Sequence, residues 1–228
     1  YFAGTMTVST TITIINFVRD KKKRKEKEEK RQKAYMEYIS KCEDDIIRLR
    51  KREHTVANYM NPTLDNYMKF VDDFDNRLFE KSKEHDDNLK VRLGDGVVES
   101  SCQVGYKEEE YVDTDDELKE YPKVLHDKYQ YIDSMPVCLE LKDVNAVGFV
   151  GKRTKLYQMC KNLIMEFAAS HFYKDVKLFL VMDSDDVKLF DWARWLKITY
   201  NEDNMMRNYM YDEESAKLTL EFLYSELS

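Results

Sequence analysis

The stretch that most constrains this chain is MPVCLELKDVNAVGFVGKRTKLYQMCKNLIMEF, Met135 to Phe167. It reads as an apolar strand, a short connection, a second apolar run ending at Gly151, and then an amphipathic helix. That order brings backbone N–H groups and the positive end of a helix to one point, where a phosphate group can be seated. The full phosphate-binding pattern is a glycine, four residues, then Gly-Lys-Ser/Thr. Anchored on Gly151 and Lys152, it places Ala146 at the first glycine and Arg153 at the hydroxyl position, with Thr154 one residue too late to reach a metal ion. Gly148, Gly151, Lys152, Arg153 and Thr154 are therefore the candidate nucleotide-binding residues of a degenerate loop. A strand-to-helix connection that binds nothing fits the same residues.

A chain of 228 residues holds one full α/β domain and an additional element. Its net charge of −7 is unevenly spread: Arg19 to His54 carries 15 Lys/Arg against 9 Asp/Glu, and the remainder 22 against 35. An acidic body with a basic collar argues against nucleic acid as a partner, because such domains carry the basic surface themselves. The four cysteines, Cys42, Cys102, Cys138 and Cys160, lie far apart with no CxxC pair. Reduced thiols of a cytosolic protein are expected rather than a disulfide or zinc framework.

Tyr1 to Val18 has no charged residue and is rich in Ile, Val, Thr and Phe. It approaches the about 20 residues that cross a bilayer, without the features of a signal peptide. A buried strand is one reading. The sequel RDKKKRKEKEEKR favours another, since an apolar segment followed at once by Lys and Arg marks a cytoplasmic membrane exit. Residues 1–18 are thus expected to be the C-terminal part of a transmembrane helix, placing the protein at the cell membrane with everything after residue 19 cytoplasmic.

Lys21 to Ala57 lacks proline and glycine and suits a long helix, so residues 19–60 are expected to form a basic juxtamembrane stalk. Residues 19–33 are charged on all sides and would meet solvent or anionic lipid headgroups, each basic residue there contributing about 1 kcal/mol. Tyr35, Ile39, Cys42, Ile46 and Leu49 recur at spacings of 4, 3, 4 and 3. That stripe packs either on the rest of its own chain or on a helix of another subunit.

Asn61-Pro62-Thr63 ends the stalk, with Thr63 or Asn61 as a cap. The next helix carries Leu64, Met68, Val71, Phe74 and Leu78 on one face. Asn88–Leu93 and Val97–Val104 read as short strands about Gly94-Asp95-Gly96, a hairpin or a strand bend. Thr114 with Glu117 has capping-box spacing and opens a helix to about Tyr129. In the helix from Lys152 to His171, Leu156, Met159, Cys160, Leu163, Ile164 and Phe167 face inward. Val176–Asp183 reads as a strand buried on both faces, completing a βαβ unit. A final helix, Glu213 to Leu227, is expected to bury Ala216, Leu220, Leu223 and Tyr224.

Asp183, with Asp185 and Asp186, ends that apolar strand, at the sheet edge where ligands and magnesium sit in α/β folds. A solvated acidic loop explains the same residues. His54, His85, His126 and His171 are scattered without metal-ligand spacing. No catalytic constellation and no metal site are expected.

The order of motifs resembles the EssC/EccC family of type VII secretion ATPases, which are FtsK/SpoIIIE-type motors. The resemblance rests on Asn61-Pro62, the Arg77-Leu78-Phe79-Glu80-Lys81 cluster, Arg92-Leu93-Gly94-Asp95-Gly96, the strand opening Met135-Pro136-Val137, the Gly148–Gly151 turn, the strand ending at Asp183, and Asp191-Trp192. It implies an incomplete P-loop NTPase-like (FtsK/RecA-like) α/β sheet with flanking helices over residues 61–228, preceded by the stalk and the membrane helix. The Walker B strand would lie beyond Ser228, and Asp183 would end the strand next to the loop instead. The resemblance further implies no cofactor in this segment, ATP and magnesium in downstream modules, and the other subunits of a type VII secretion membrane complex as partners. It also implies a homo-oligomer assembled through stalk and motor domains. The expected role is coupling the membrane channel to those modules. A divergent but active ATP-binding domain and a membrane-tethered helical scaffold are the alternatives.

Overall fold

In the computed structural model, which describes residues 2–107, 117–201 and 205–227, the first element is a single helix. This helix, α1 (Phe2–Met60), has no proline or glycine between Gly4 and Pro62 to interrupt it. Pro62 stops it, and Thr63 caps α2 (Leu64–Asp73) by accepting a hydrogen bond from Asn66 N at 3.3 Å. The remaining elements are β1 (Lys90–Glu99), α3 (Tyr121–Lys128), β2 (Tyr131–Glu140), α4 (Arg153–Ser170), β3 (Leu180–Val181), α5 (Val187–Phe190), β4 (Tyr200–Asn201), β5 (Met206–Arg207), β6 (Tyr209–Met210) and α6 (Glu213–Leu227). The Thr114 capping box lies outside the described residues.

Helices and small sheets are thus mixed: β1 pairs with β2, β3 with β6 in parallel, and β4 with β5 antiparallel. The glycines at 94 and 96 bend no hairpin, because β1 runs through both. Gly96 is required by close approach, since a Cβ there would lie 2.8 Å from Val137 Cγ2. Parallel pairing of β3 to β6 is carried by Leu180 N to Asn208 O (2.9 Å) and Met182 N to Met210 O (3.0 Å), while Leu178 N bonds to Ile198 O (2.9 Å) in the segment before β4.

The chain divides into two compact units. One comprises Tyr1–Thr55 and Val97–Asp133. In it, the nearly buried Arg50 donates to Tyr129 O at 2.9 Å and Cys102 O at 2.8 Å and pairs with Glu53 at 3.3 Å. Glu53 also accepts from Ser100 Oγ, Ser101 N and Ser101 Oγ, each at 2.7 Å. Burial pushes the Glu53 carboxyl up, and these hydrogen bonds with the Arg50 charge outweigh it, leaving it below the usual range. Of the expected α1 stripe, Ile39 is buried, Tyr35, Cys42 and Ile46 are half-buried, and Leu49 is exposed.

The other unit comprises Val56–Gly96 and Ser134–Ser228. Its apolar interior has two clusters, one of Ile164, Phe190, Ala193 and Tyr209, the other of Val91, Phe167 and Ile198. α4 contributes to both, and α2 packs against α4. Three inward faces differ from expectation. On α2 the buried residue is Tyr67, and Met68, Val71 and Phe74 are exposed. On α4 Cys160 is exposed, while Glu166 and Ser170 are buried. On α6 Leu220 and Tyr224 are exposed, Thr219 is buried, and Phe222 stacks on Phe179 with ring centroids 6.4 Å apart. The strand at 176–183 is not buried on both faces either: Val181 is exposed.

Candidate functional site

The glycine loop stands where the sequence puts it, directly before α4, but it is not built around its glycines. Among the described residues, Gly148 and Gly151 do not take positive φ. A Cβ on Gly148 would meet nothing, and one on Gly151 would make only ordinary contact with Leu156 at 3.8 Å. Lys152 is the N-cap of α4, without a side-chain cap hydrogen bond. Thr154 lies in the exposed first turn.

Arg153 is engaged by its own chain. Its Nη2 donates to both Asp186 carboxylate oxygens, at 3.0 and 3.2 Å, and its Nε donates to Tyr157 Oη. The Tyr157 hydroxyl in turn donates to Asp186 at 2.8 and 2.9 Å, closing a triangle of a cation, a hydroxyl and a carboxylate. The Tyr157 hydrogen bond and the Asp186 charge raise the guanidinium pKa further above its ordinary value. An incoming phosphate must compete with a carboxylate already in place. Beside the triangle a cavity of about 500 Å³ is lined by Tyr157, Ile164, Leu180, Met182, Asp183 and Asp186. Asp183 therefore shares a rim with Asp186, its side chain exposed at the end of β3. Among the described residues no cluster of His, Cys, Asp or Glu could hold a metal ion.

A second constellation gathers at the C-terminal end of α1, where helix carbonyls lack intrahelical partners. Arg77 Nη2 donates to Tyr59 O at 2.8 Å, and its guanidinium lies 4.2 Å from the Tyr59 ring centroid and 5.2 Å from that of Phe70. Glu80 pairs with Arg77 at 2.8 Å. Arg92 donates to Asn61 O, to Asn58 Oδ1 at 3.0 Å and to Asp95. Two cations thus sit on the negative end of the helix, each fixed by a carboxylate and each donating to backbone.

Behind Arg92 lies a buried polar knot. The Lys81 ammonium, almost fully buried, donates to Lys90 O, and burial holds its pKa down. Burial pushes the Glu166 carboxyl up, against the Arg92 N–H that donates to it at 2.8 Å and the nearby Lys81 charge. His171, fully buried, accepts from Leu89 N at 3.1 Å through Nε2, so the proton of the neutral ring is on Nδ1. Nδ1 donates to Ser170 Oγ at 2.8 Å, and Ser170 Oγ donates to Glu166 O at 2.6 Å. Burial pushes the imidazole down to about 4.

No protein-family model matches this sequence. Individual proteins do. The chain is 28% identical over 222 residues to the type VII secretion system protein EssC of Staphylococcus aureus (strain NCTC 8325 / PS 47), an alignment covering 97% of this chain and 15% of that protein. It is 26% identical over 227 residues to the ESX secretion system protein EccC of Geobacillus thermodenitrificans (strain NG80-2), covering 99% and 15% respectively.

The chain is similar to EssC and EccC proteins of type VII secretion systems over almost its whole length.

It spans about 15% of the length of these EssC and EccC relatives. Three of the motifs that carried the resemblance, at Asn61-Pro62, Arg77–Lys81 and Arg92–Gly96, converge on one place. Arg77, Glu80, Lys81 and Arg92 all lie at the α1 terminus or in the knot behind it. Sequence reasoning had the residues without their contacts. It placed His171 among the scattered histidines without its burial, which no local pattern announces, and it grouped Asp186 with Asp183 and Asp185 without finding its partner Arg153.

Proposed function

We propose that this chain is the membrane-proximal part of a type VII secretion motor, in which a long helix and a degenerate ATPase-like domain couple a membrane channel to downstream ATPase modules. The observation that carries the coupling is the double arginine clamp on the last turn of α1. A helix whose end is bonded through Arg77 and Arg92 to the segments after it transmits an axial or rotational displacement into them.

The domain is an incomplete P-loop NTPase-like sheet of FtsK/RecA type in this reading, and Gly148, Gly151, Lys152, Arg153 and Thr154 are the inherited frame of its nucleotide loop. The Arg153–Asp186–Tyr157 triangle supports a loop that no longer hydrolyses ATP, because the position that would present a hydroxyl to magnesium presents a cation tied to a carboxylate. ATP and magnesium belong to the downstream modules. Other subunits of the secretion complex and further copies of the motor are the partners.

Residues 1–18 are read as the end of a membrane helix and 19–33 as a basic collar against anionic headgroups. No helix among the described residues is long and apolar enough to cross a membrane. The reading is supported by Ile14, Ile15, Phe17 and Val18, which are apolar yet exposed, immediately before the Lys/Arg run.

Titration calorimetry of the 228-residue chain with ATP and magnesium should give no binding heat up to millimolar nucleotide. Micromolar binding would replace the coupling reading with a divergent active site, which the Lys152 ammonium favours, since it has no hydrogen-bond or ion-pair partner among the described residues. In the full-length parent, Arg92→Ala should lower secretion while leaving the ATPase rate of the downstream modules unchanged.

A further inference from the structure

α2 carries its apolar stripe outward. Leu64, Met68 and Val71 recur at spacings of 4 and 3, so they line one side of the helix. Met68 and Val71 are exposed, and Tyr67 and Phe70 pack on the neighbouring side. Phe74 follows as the C-cap at φ 52, a conformation that disfavours side chains, with its ring 91% exposed. An aromatic residue in a glycine position that buries nothing in its own chain is a candidate contact residue. Asp65 and Asp72, one heptad apart, border the stripe, and Asp73 and Asp75 follow at the helix end.

A surface of complementary character exists on the same molecule. Leu49, Arg52, Val56 and Met60 recur along α1 at spacings of 3, 4 and 4, and all four are exposed. Arg48, exposed and paired with Asp45 at 2.8 Å, borders this stripe beside Arg52. One helix thus offers an apolar row bordered by carboxylates, the other the apolar Leu49, Val56 and Met60 in line with Arg52 and flanked by Arg48.

We propose that α2 of one copy of this chain docks on the Leu49–Met60 stripe of α1 in a second copy, with Asp65 and Asp72 facing Arg48 and Arg52. The two surfaces differ, so the contact is head-to-tail and leaves one free surface at each end, the arrangement that propagates into a ring or filament. It deepens the reading above, which places copies of the motor side by side, by naming the contact. A helix as short as α2 covers less than the roughly 800 Å² per partner of a stable complex, so the contact is weak in dilute solution and depends on tethering for occupancy.

The test is sedimentation velocity of the 228-residue chain over a concentration series, in dodecyl maltoside to keep the apolar residues 1–18 apart. The wild type should self-associate with a dissociation constant of roughly 10–100 μM, weaker than standard-size interfaces give. Asp65→Arg/Asp72→Arg and Arg48→Glu/Arg52→Glu should each weaken self-association at least tenfold with unchanged circular dichroism, and an equimolar mixture of the two should recover a heterodimer near wild-type affinity. Val71→Ser/Phe74→Ser should weaken it without rescue by either charge variant. A wild type that stays monomeric throughout, association indifferent to the charge swaps, or a mixture that fails to rescue overturns the proposal. None of these outcomes bears on nucleotide binding, so the coupling reading stands or falls separately.

Discussion

The guanidinium of Arg153 is bonded to both carboxylate oxygens of Asp186, at 3.0 and 3.2 Å, across 33 residues of sequence. The pair joins the first turn of α4 to the segment after β3. The cation in the first turn of α4 thus has a counter-ion within its own chain.

Asp186→Asn should release that cation without unfolding the domain. The guanidinium is mostly exposed, so the thermal midpoint should move little. Weak, salt-sensitive binding of tripolyphosphate, absent in the wild type, should appear in calorimetry. A variant that binds no better than wild type would mean that the counter-ion is not what keeps the loop empty.

Arg92→Ala should destabilise the unit holding α2 and α4 by about 2–3 kcal/mol, because it strips partners from Asn61 O and Asn58 in a largely buried setting. Arg92→Lys should recover less than half, since an ammonium cannot reproduce a fork that donates in several directions. Urea titration compares the two. Near-equal midpoints for Lys and wild type would reduce the residue to a point charge.

Stability should fall on mild acidification because of His171. Its folded pKa of about 4 lies below the unfolded value of about 6.5, so the unfolded chain binds the proton first. The contribution is complete above about pH 6.5 and is lost as pH drops toward 4, amounting to about 3 kcal/mol in full. His171→Gln should flatten that part of the profile. Urea midpoints from pH 7.5 to 4.5 read it out, and an unchanged slope would place the titration elsewhere.

Glu53→Gln should cost about 1–2 kcal/mol at neutral pH in the unit around Arg50, where the carboxylate accepts three hydrogen bonds at 2.7 Å. The Glu53 pKa is lowered in the fold, so its contribution is present above the unfolded carboxylate pKa and lost as pH falls through the folded one. The gap between wild type and variant should therefore narrow in acid. A gap constant from pH 7 to pH 3 would assign the loss to packing.

Local order was legible in the residues. Continuous helix propensity up to Met60, the stop at Pro62, the Thr63 cap, the helix after the glycine loop and the helix from Glu213 need only neighbours a few positions away. The similarity to EssC and EccC proteins was legible as well, in motifs whose contacts stayed hidden. Which face of each helix turns inward was decided by tertiary structure. On α2, α4 and α6 several apolar residues are left outside, because each helix is seated by particular anchors, Tyr67, Glu166 and Thr219 among them, rather than by the row of largest apolar side chains. The fate of the loop was decided in the same way. Spacing marked Arg153 as out of place, but only the fold brought Asp186 and Tyr157 to it, because ion pairing acts through space and leaves no periodicity in the chain.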